Sequence, residues 1–354
     1  MTLRTRRLAT IARMATATSI VVVASATAGT ASAASFTLGM AIGGEPSQDW
    51  QKAQGEVAAA LAKQRGWNYV ELSNNADPAV TTKNADIFIQ DKVNAVIEFN
   101  GSPAVNPVLA AKFAAAKIPE VTYDIAQPGF YFVGIDNQAA GLAGGEALGN
   151  IAKTKWNCDV DLVISSEGQG AGIVNTWRTG GMRDGIKKVC PDIPAEKWVS
   201  MEGGGQVAVA LPAGRDVLAA HPDAKKILVV GINDSSVLGV LQAAEQLGRA
   251  DSIIGWGQDG SFITGPNVDP HLAGSVFYFL EGYAVYALRD VIDPIAAGNP
   301  PPVKDNPGDP ASKVQPCPVS AAQAAKIPDM AGRVKALLAA PAGTTEYDLF
   351  CPKS

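Results

Sequence analysis

The segment of residues 226–261 constrains the fold most, because it combines two buried strands with one helix. Residues 227–232 form an unbroken apolar and β-branched run, which is typical of a parallel strand covered on both faces. Apolar residues then recur at helical spacing from Val237 to Leu247, and residues 252–257 supply the next strand. The segment therefore predicts a strand–helix–strand unit of an α/β protein.

Polar side chains follow both of these strands. Asn233 and Asp234 follow the first strand, and Gln258 and Asp259 follow the second. In open parallel sheets, ligands bind in the crevice beyond the carboxyl ends of the strands, so we expect Asn233 and Asp259 to face a ligand. The alternative is that Asn233 only caps the helix and that Asp259 only belongs to a turn.

The rest of the chain alternates between strand and helix patterns. Further strands are predicted at residues 36–42, 68–72, 95–99, 121–123, 131–135, 161–165 and 198–201. Further helices are predicted at residues 50–65, 81–92, 107–116, 139–152, 173–189 and 208–220. Because strands that alternate with helices pair in parallel through right-handed crossovers, the pattern predicts the α/β class with two parallel sheets.

The amino-acid composition is that of a globular protein with ordinary charge. Hydrophobic residues make up 47% of the chain, charged residues make up 18%, and the net charge is -5. These values argue against an intrinsically disordered chain and against a surface that binds polyanions. We therefore expect no nucleic-acid partner, and the roughly 320 residues beyond the first 33 suffice for two domains.

The first 33 residues have the pattern of a secretory signal peptide. Four arginines lie within residues 4–13, residues 15–28 are small and apolar, and Ala31, Ser32 and Ala33 match a cleavage site. A transmembrane anchor is the alternative, but Thr and Ser interrupt the stretch, which is shorter than the roughly 20 apolar residues that a span needs. We therefore predict a free periplasmic protein, cleaved near Ala33 and without membrane insertion.

The four cysteines form an even set in a chain that we expect to be exported, and disulfides persist in exported proteins. We predict that Cys158 pairs with Cys190 and that Cys317 pairs with Cys351. A metal site is the alternative, but the chain has no C-x-x-C pair and only two histidines. We therefore expect no metal and no cofactor.

Several short motifs occur in the order and spacing of a known family. They are residues 74–78 (NNADP), 93–97 (VNAVI), 118–124 (IPEVTYD), 132–137 (FVGIDN) and 257–260 (GQDG), together with Gly141, Arg178, Gly180, Gly181, Asn233 and Asp234. Between about residue 36 and residue 298, the chain resembles the type I periplasmic sugar-binding proteins of ABC transporters, a ribose-binding-protein-like family. The resemblance implies the periplasmic binding protein-like type I fold, in which two Rossmann-like lobes with parallel sheets are joined by a hinge.

The resemblance also implies a division of the chain into lobes. The expected parts are an N-terminal lobe at residues 34–137 plus 278–298, a C-terminal lobe at residues 138–277, and a C-terminal extension at residues 299–354. We expect the extension to pack on the C-terminal lobe. Asp136 and Asn137 are expected to serve the hinge rather than the ligand.

A sugar site between the lobes is implied as well. Because a sugar hydroxyl both donates and accepts hydrogen bonds, planar side chains with paired polar atoms bind neighbouring hydroxyls. The implied polar contacts are Asn100, Asp124, Arg178, Asn233 and Asp259, with Gln169 in a loop nearby. Trp50, together with Asp49, lies where the family stacks aromatic rings on the sugar.

Two departures from the family pattern bear on the ligand. Ile125 follows Asp124 where the family often has an arginine, and Tyr278 stands where the family places a glutamine on the hinge side of the pocket. Both changes alter the hydrogen bonds that the pocket can offer. We therefore expect the ligand to be a small sugar or polyol other than ribose.

The implied function is that of the solute-binding component of an ABC importer, a monomer that delivers a sugar or polyol to a membrane permease. A periplasmic ligand sensor for a chemoreceptor or histidine kinase is the alternative. A glycoside-acting enzyme that uses Asp124 and Asp259 is less favoured, because hydrogen bonds to ligand hydroxyls account for both carboxylates without catalysis. We therefore expect the chain not to be an enzyme.

Overall fold

A computed structural model describes residues 35–44, 49–100, 103–126, 129–264, 267–303 and 312–353. The predicted signal peptide at residues 1–33 and its cleavage site lie outside the described residues. Within the described ranges, no helix is long and apolar enough to cross a membrane.

Twelve strands and twelve helices make up the described part of the chain. The strands are β1 (Thr37–Ile42), β2 (Asn68–Ser73), β3 (Ala95–Glu98), β4 (Glu120–Tyr123), β5 (Tyr131–Ile135), β6 (Leu162–Glu167), β7 (Trp198–Glu202), β8 (Ile227–Gly231), β9 (Ile253–Asp259), β10 (Leu272–Phe277), β11 (Ser312–Val314) and β12 (Cys317–Ser320). The helices are α1 (Asp49–Gln64), α2 (Pro78–Gln90), α3 (Asn106–Ala116), α4 (Asn137–Trp156), α5 (Ile173–Val189), α6 (Val207–Ala220), α7 (Asp234–Gln246), α8 (Tyr283–Ala287), α9 (Asp293–Ala296), α10 (Ala321–Ala324), α11 (Met330–Ala339) and α12 (Glu346–Phe350).

These strands form two six-stranded sheets. The first sheet has the order β11-β5-β4-β3-β1-β2, and all its pairings are parallel. The second has the order β12-β10-β9-β8-β6-β7, and only the pairing of β10 with β12 is antiparallel. In each sheet the earliest strand lies between the second and the third, which creates a switch point where a ligand crevice opens.

Short polar side chains fix where several helices begin. Asp77 accepts hydrogen bonds from the backbone N–H groups of the first turn of α2, and Asp136 does the same for α4. Such caps satisfy N–H groups that have no partner within the helix. The strand residues before them are apolar, and all five residues of β8 are buried. β2, β5 and β8 are therefore each followed by a helix that begins at a side-chain cap.

One hydrophobic cluster connects the two sheets. It contains Leu38 and Val121 from the first sheet, and Val163, Leu228 and Trp256 from the second. Helix α8 packs against β5 and β11, so the chain returns to the first sheet after β10. The positions at which the chain passes from one lobe to the other remain a prediction.

The C-terminal extension contacts both halves of the molecule. β11 adds a parallel strand to β5 at the edge of the first sheet, and β12 adds an antiparallel strand to β10 at the edge of the second. Helix α11 packs against α1. The expected docking on the C-terminal lobe thus describes only part of the arrangement. An edge strand has unpaired backbone groups, and the extension pairs with one such edge in each sheet.

Both predicted disulfides are confirmed. Cys158 is bonded to Cys190, which joins the ends of α4 and α5. Cys317 is bonded to Cys351, which ties β12 to the residue after α12. The second disulfide therefore closes a loop that contains β12 of the second sheet and α11, which packs against α1.

Candidate functional site

A cavity of ≈ 340 Å³, here called the main cleft, lies at the carboxyl ends of β4, β8 and β9. It is lined by Trp50, Phe99, Asp124, Ile125, Gly168, Gly170, Ala171, Val174, Arg178, Glu202, Gly204, Gly205, Gln206, Ile232, Asn233, Asp259 and Leu280. β4 belongs to the first sheet, whereas β8 and β9 belong to the second. The main cleft is therefore bounded by both halves of the molecule.

A smaller cavity of ≈ 150 Å³, here called the side cavity, adjoins the main cleft. It is lined by Asp49, Trp50, Asn233, Ser235, Asp259, Gly260, Ser261, Phe262, Thr264, Leu280, Glu281, Met330 and Arg333. Trp50, Asn233, Asp259 and Leu280 line both cavities. The two cavities are therefore direct neighbours.

Asp124 and Arg178 form an ion pair across the main cleft. Arg178 Nη2 donates to Asp124 Oδ2 at 2.7 Å, and the two side chains are only 7% and 14% exposed, respectively. The other carboxylate oxygen, Asp124 Oδ1, is buried and has no hydrogen-bond partner among the described residues. Because a buried acceptor without a donor costs free energy, a hydroxyl donor that entered the cleft would be stabilised here.

Three further groups hold the Arg178 guanidinium in place. Nε donates to Asn137 Oδ1 at 2.6 Å, and Nη1 donates to the Ile232 carbonyl at 3.4 Å. The ring of Tyr278 lies 4.7 Å from the guanidinium carbon. Burial lowers the pKa of Arg178, but the Asp124 carboxylate and the nearby Tyr278 and Tyr283 together raise it above its usual value. Asn137, expected to serve the hinge, therefore also orients a residue of the cleft.

Glycines allow α4 and α5 to pack closely enough for Arg178 to reach Asn137. A Cβ atom on Gly145 would lie 2.1 Å from a backbone carbonyl oxygen of the facing helix, and one on Gly185 would lie 2.3 Å from another. Backbone atoms cannot yield to such contacts without moving the helices apart. The position of Arg178 thus depends on small residues well away from the cleft.

Asn233 precedes α7 and lines both cavities. Its Oδ1 accepts from the backbone N–H of Ser236 at 2.9 Å, and its Nδ2 donates to the Gly205 carbonyl at 2.9 Å. Asn233 therefore caps α7, and the same side chain borders the cleft. Its contact with Gly205 holds the neighbouring glycine loop, which also lines the cleft.

Asp259, the last residue of β9, also lines both cavities. Its Oδ1 accepts from the backbone N–H of Ser261 at 2.8 Å, as expected for a turn. Burial raises the pKa of Asp259 to about 6, although the hydrogen bonds from Ser261 and the charge of Arg178 act in the opposite direction. The carboxylate is thus destabilised in the folded protein, and a ligand hydroxyl that donated to it would stabilise its ionised form.

Asp234 lies behind Asp259 and is not exposed at all. Its Oδ1 accepts from Ser275 Oγ at 2.7 Å, and its Oδ2 accepts from the backbone N–H of Phe262 at 3.0 Å. Burial and the nearby Asp259 carboxylate raise the pKa of Asp234 well above its usual value. Asp234 therefore positions the loop after β9. From the sequence alone, a polar residue after a strand could equally have been a ligand contact.

Trp50 and Phe99 form an aromatic wall of the main cleft. Their ring centroids are 5.2 Å apart in an edge-to-face arrangement, and both side chains are largely buried. Asp49, the preceding residue on α1, is exposed and lines only the side cavity of the two. The expected stacking residue therefore borders the cleft, while its neighbour faces the smaller cavity.

Three residues predicted for the site line neither of these two cavities. Asn100 is buried, and its Nδ2 donates to both oxygens of Glu98 at 3.0 Å. Gln169 is exposed in a short 3₁₀ turn at the rim. Tyr278 is fully buried beneath Arg178, and its hydroxyl donates to Gln258. Asn100 and Tyr278 thus support the walls, because each already bonds to a neighbouring side chain.

Sequence reasoning missed Glu202 and Leu280. Glu202 Oε1 accepts from the backbone N–H of Gly204 at 2.9 Å, and Oε2 accepts from that of Gln169 at 3.1 Å. It therefore ties together the two glycine-containing loops of the cleft. Its position directly after a predicted strand could have identified it. Leu280 follows β10, a strand that the sequence did not predict, so no signal pointed to it.

A family model described as periplasmic binding protein domain matches residues 39–270. A comparison with curated protein sequences found no match. Among solved structures, an ABC transporter periplasmic solute-binding protein of Actinobacillus succinogenes with bound D-allose is similar at 19% identity, with a TM-score of 0.67 over 82% of this chain and 99% of that one.

Two other solved structures are similar to the same extent. One is an ABC transporter solute-binding protein of Mycobacterium smegmatis with bound glycerol, at 20% identity and a TM-score of 0.63 over 90% of this chain and 100% of that one. The other, from Bacillus halodurans, has bound myo-inositol, at 16% identity and a TM-score of 0.63 over 86% and 97% of the two chains. These neighbours are binding proteins.

The comparisons confirm the predicted fold class and the resemblance on which it rested. The chain has two α/β lobes with mostly parallel sheets, in the arrangement of the type I periplasmic binding proteins. The family model covers most of both lobes. The chain therefore belongs to the periplasmic binding protein domain family.

Proposed function

We propose that the chain is the solute-binding component of an ABC importer, which captures a small sugar or polyol in the main cleft. The observation that carries this proposal is the Asp124–Arg178 pair, in which Asp124 Oδ1 has no partner within the part of the chain that the structure describes. Adjacent hydroxyls of a polyol can donate to the carboxylate and accept from the guanidinium at the same time. Few other neutral ligands offer both functions on neighbouring atoms.

The remaining walls fit the same class of ligand. Asn233 and Asp259 offer polar atoms on the side of the second sheet, and Trp50 offers an aromatic face for the C–H groups of a sugar ring. The volume of ≈ 340 Å³ lies near the lower end of the about 300–1,000 Å³ typical of ligand pockets. A single ring or a short polyol therefore fits better than a large ligand.

Ligand binding is proposed to favour the state in which the lobes close on each other. A ligand that touches Asp124 on one side and Arg178 or Asn233 on the other stabilises only the conformation that brings these residues together. The bound D-allose, myo-inositol and glycerol of the similar proteins support the choice of ligand class. We further propose that residues 1–33 direct export, and that the monomer delivers its ligand to a permease.

A thermal-shift screen of the purified protein across monosaccharides and polyols tests ligand capture. A ligand at 100 times its dissociation constant stabilises the folded state by about 2.7 kcal/mol, which gives a clear rise in melting temperature. The variant Asp124→Asn should lose most of the shift, whereas Lys335→Ala, on an exposed position of α11, should keep it. The absence of a shift with every sugar and polyol would contradict the proposal.

Delivery to a permease needs a separate test. Cells that lack the gene should take up the radiolabelled best ligand of the screen more slowly, and the wild-type gene should restore uptake while Asp124→Asn should not. Unchanged uptake, together with a lost chemotactic or transcriptional response to the same sugar, would instead favour the sensor function.

A further inference from the structure

The side cavity extends the main cleft toward a part of the chain that lies beyond the family-model match. Its outer wall includes Met330 and Arg333 of α11, whereas the match ends at residue 270. Neither Met330 nor Arg333 lines the main cleft. The C-terminal extension therefore contributes directly to a cavity that adjoins the proposed ligand.

Buried contacts hold this wall rigidly in place. Arg333 forms an ion pair of 2.5 Å with Glu281, and the two side chains are only 5% and 3% exposed. The guanidinium also donates to the Pro328 carbonyl at 3.1 Å. Glu346, from α12, lies so close to Gly282 that a Cβ atom there would be 2.1 Å from its carboxylate. The extension is thus fixed to the segment that carries Leu280, a residue of both cavities.

The chemistry of the side cavity suits a neutral group with hydroxyls. Ser261 and Thr264 supply hydroxyls to its lining, and Asp49 and Asp259 supply carboxylates. Among the described residues that line it, Arg333 is the only cation, and Glu281 already neutralises it. A phosphate or carboxylate would meet two acidic side chains without a free cation, which disfavours binding. Hydroxyl groups can donate to both carboxylates.

We propose that the side cavity is a second subsite, which holds a hydroxylated group attached to the sugar in the main cleft. The ligand that the protein selects is then a glycoside or a disaccharide rather than a free monosaccharide. Trp50 borders both cavities and would contact both parts of such a ligand. This inference rests on the proposed function, because it assumes a sugar in the main cleft.

Calorimetric titration of the full chain tests the proposal. The probes are D-glucose, D-galactose, D-allose and D-xylose, each compared with its methyl α- and β-glycosides, together with maltose, cellobiose, lactose and melibiose. At least one glycoside or disaccharide should bind about tenfold more tightly than the corresponding monosaccharide. Monosaccharides that bind as tightly as all of their glycosides would overturn the subsite.

A substitution that fills the side cavity separates the two sites. Met330→Trp should remove the advantage of the glycoside and leave the dissociation constant of the monosaccharide within about twofold. Lys335→Trp, on an exposed position of the same helix, is the matched control and should change neither. Thr264→Tyr fills the cavity from another wall, and should give the result of Met330→Trp if that variant folds poorly. Equal weakening of both ligands by Met330→Trp and Thr264→Tyr would contradict the proposal.

The two levels of inference fail in different ways. If no monosaccharide, polyol, glycoside or disaccharide binds to the wild-type chain, the proposed function itself is wrong, and the subsite with it. If monosaccharides or polyols bind and no glycoside or disaccharide gains affinity, only the second subsite is wrong.

Discussion

Asp124 and Arg178 meet across the main cleft at 2.7 Å, one from the end of a strand of the first sheet and the other from a helix of the second lobe. Both side chains are largely buried. Each charge is therefore stabilised by the other. A substitution in this pair should affect both the stability of the folded protein and the binding of a ligand in the main cleft.

Removal of both partners of this pair should destabilise the protein by less than the sum of the two single removals. Arg178→Met leaves the Asp124 carboxylate buried without a cation, which should lower the free energy of unfolding by about 3–5 kcal/mol. The double variant Asp124→Asn/Arg178→Met should lose less than the sum of the single variants, with a coupling of about 0.5–3 kcal/mol. Urea denaturation of the four ligand-free proteins measures the cycle, and strictly additive losses would contradict it.

The pKa of Asp259 predicts how ligand affinity depends on pH. Its value of about 6 in the folded protein exceeds the ordinary 3.8, so between these values the folded state binds more protons than the unfolded state. The contribution of Asp259 to stability therefore falls as the pH rises through this window. A ligand hydroxyl needs the ionised carboxylate as acceptor, so affinity should rise with pH and level off above about pH 7.

Calorimetry of the best ligand of the screen at several values between about pH 4.5 and 7.5 measures this dependence. Affinity should decrease by up to about tenfold for each pH unit below 6. Asp259→Asn should bind more weakly but lose this dependence, because its amide does not titrate. A wild-type affinity that is flat across the range would show that Asp259 does not contact the ligand.

Tyr278 should affect the ligand only through Arg178. Tyr278→Phe removes the hydroxyl that donates to Gln258 and leaves a buried acceptor unpaired, which should cost about 1–3 kcal/mol of stability. Ligand affinity should be nearly unchanged, since the ring beneath the guanidinium remains. Tyr278→Leu removes the ring as well, so it should weaken ligand binding through a loss of about 2 kcal/mol at Arg178. Equal affinities for the Phe and Leu variants would show that the ring does not position Arg178.

The two disulfides provide a matched comparison. They close loops with sequence separations of 32 and 34, so the loss of either should cost about the same chain entropy, about 4 kcal/mol. Only Cys317–Cys351 closes the extension that forms the wall of the side cavity. We expect Cys317→Ser/Cys351→Ser to reduce the preference for glycosides over monosaccharides.

The variant Cys158→Ser/Cys190→Ser should lose similar stability and keep that preference. Thermal unfolding reports the loss of stability, and the calorimetric ratio of glycoside to monosaccharide affinity reports the preference. A ratio that is equal in both double variants would show that the extension does not shape the cavity.

Periodicity predicted the two parallel sheets but missed the strands at one end of them. β10 is an inner strand that contains Gly274 and Ser275, and the edge strands β11 and β12 are short and follow a proline-rich segment, so none of the three has a continuous apolar run. β11 and β12 pair with their sheets because an open edge offers unpaired backbone groups. Local sequence does not indicate which edge a later strand will join, and the extension joins one edge of each sheet.

The candidate site also contains residues that the sequence predicted and residues whose role only the packing revealed. Strand ends predicted that Asn233 and Asp259 would lie together, because the carboxyl ends of parallel strands in one sheet meet at one edge. The resemblance implied that Asp124, from the other lobe, would face them. They could not predict that Asn100 donates to Glu98, whose pKa is raised to about 7 by its burial, despite the hydrogen bonds from Asn100 and Asn74. A buried carboxylate recruits any donor within reach, and which donors are within reach depends on the packing.

The sequence by itself determined the α/β class and the strand ends at which polar residues gather, since both follow from local periodicity. The even set of cysteines indicated disulfides, and the structure decided which cysteines pair. Only the tertiary structure decided which polar residues face the cleft and which form hydrogen bonds to neighbouring side chains instead. It also decided that the extension forms a wall of the side cavity. Those outcomes depend on distances between residues far apart in the chain, such as Arg333 and Glu281, and packing alone brings such residues together.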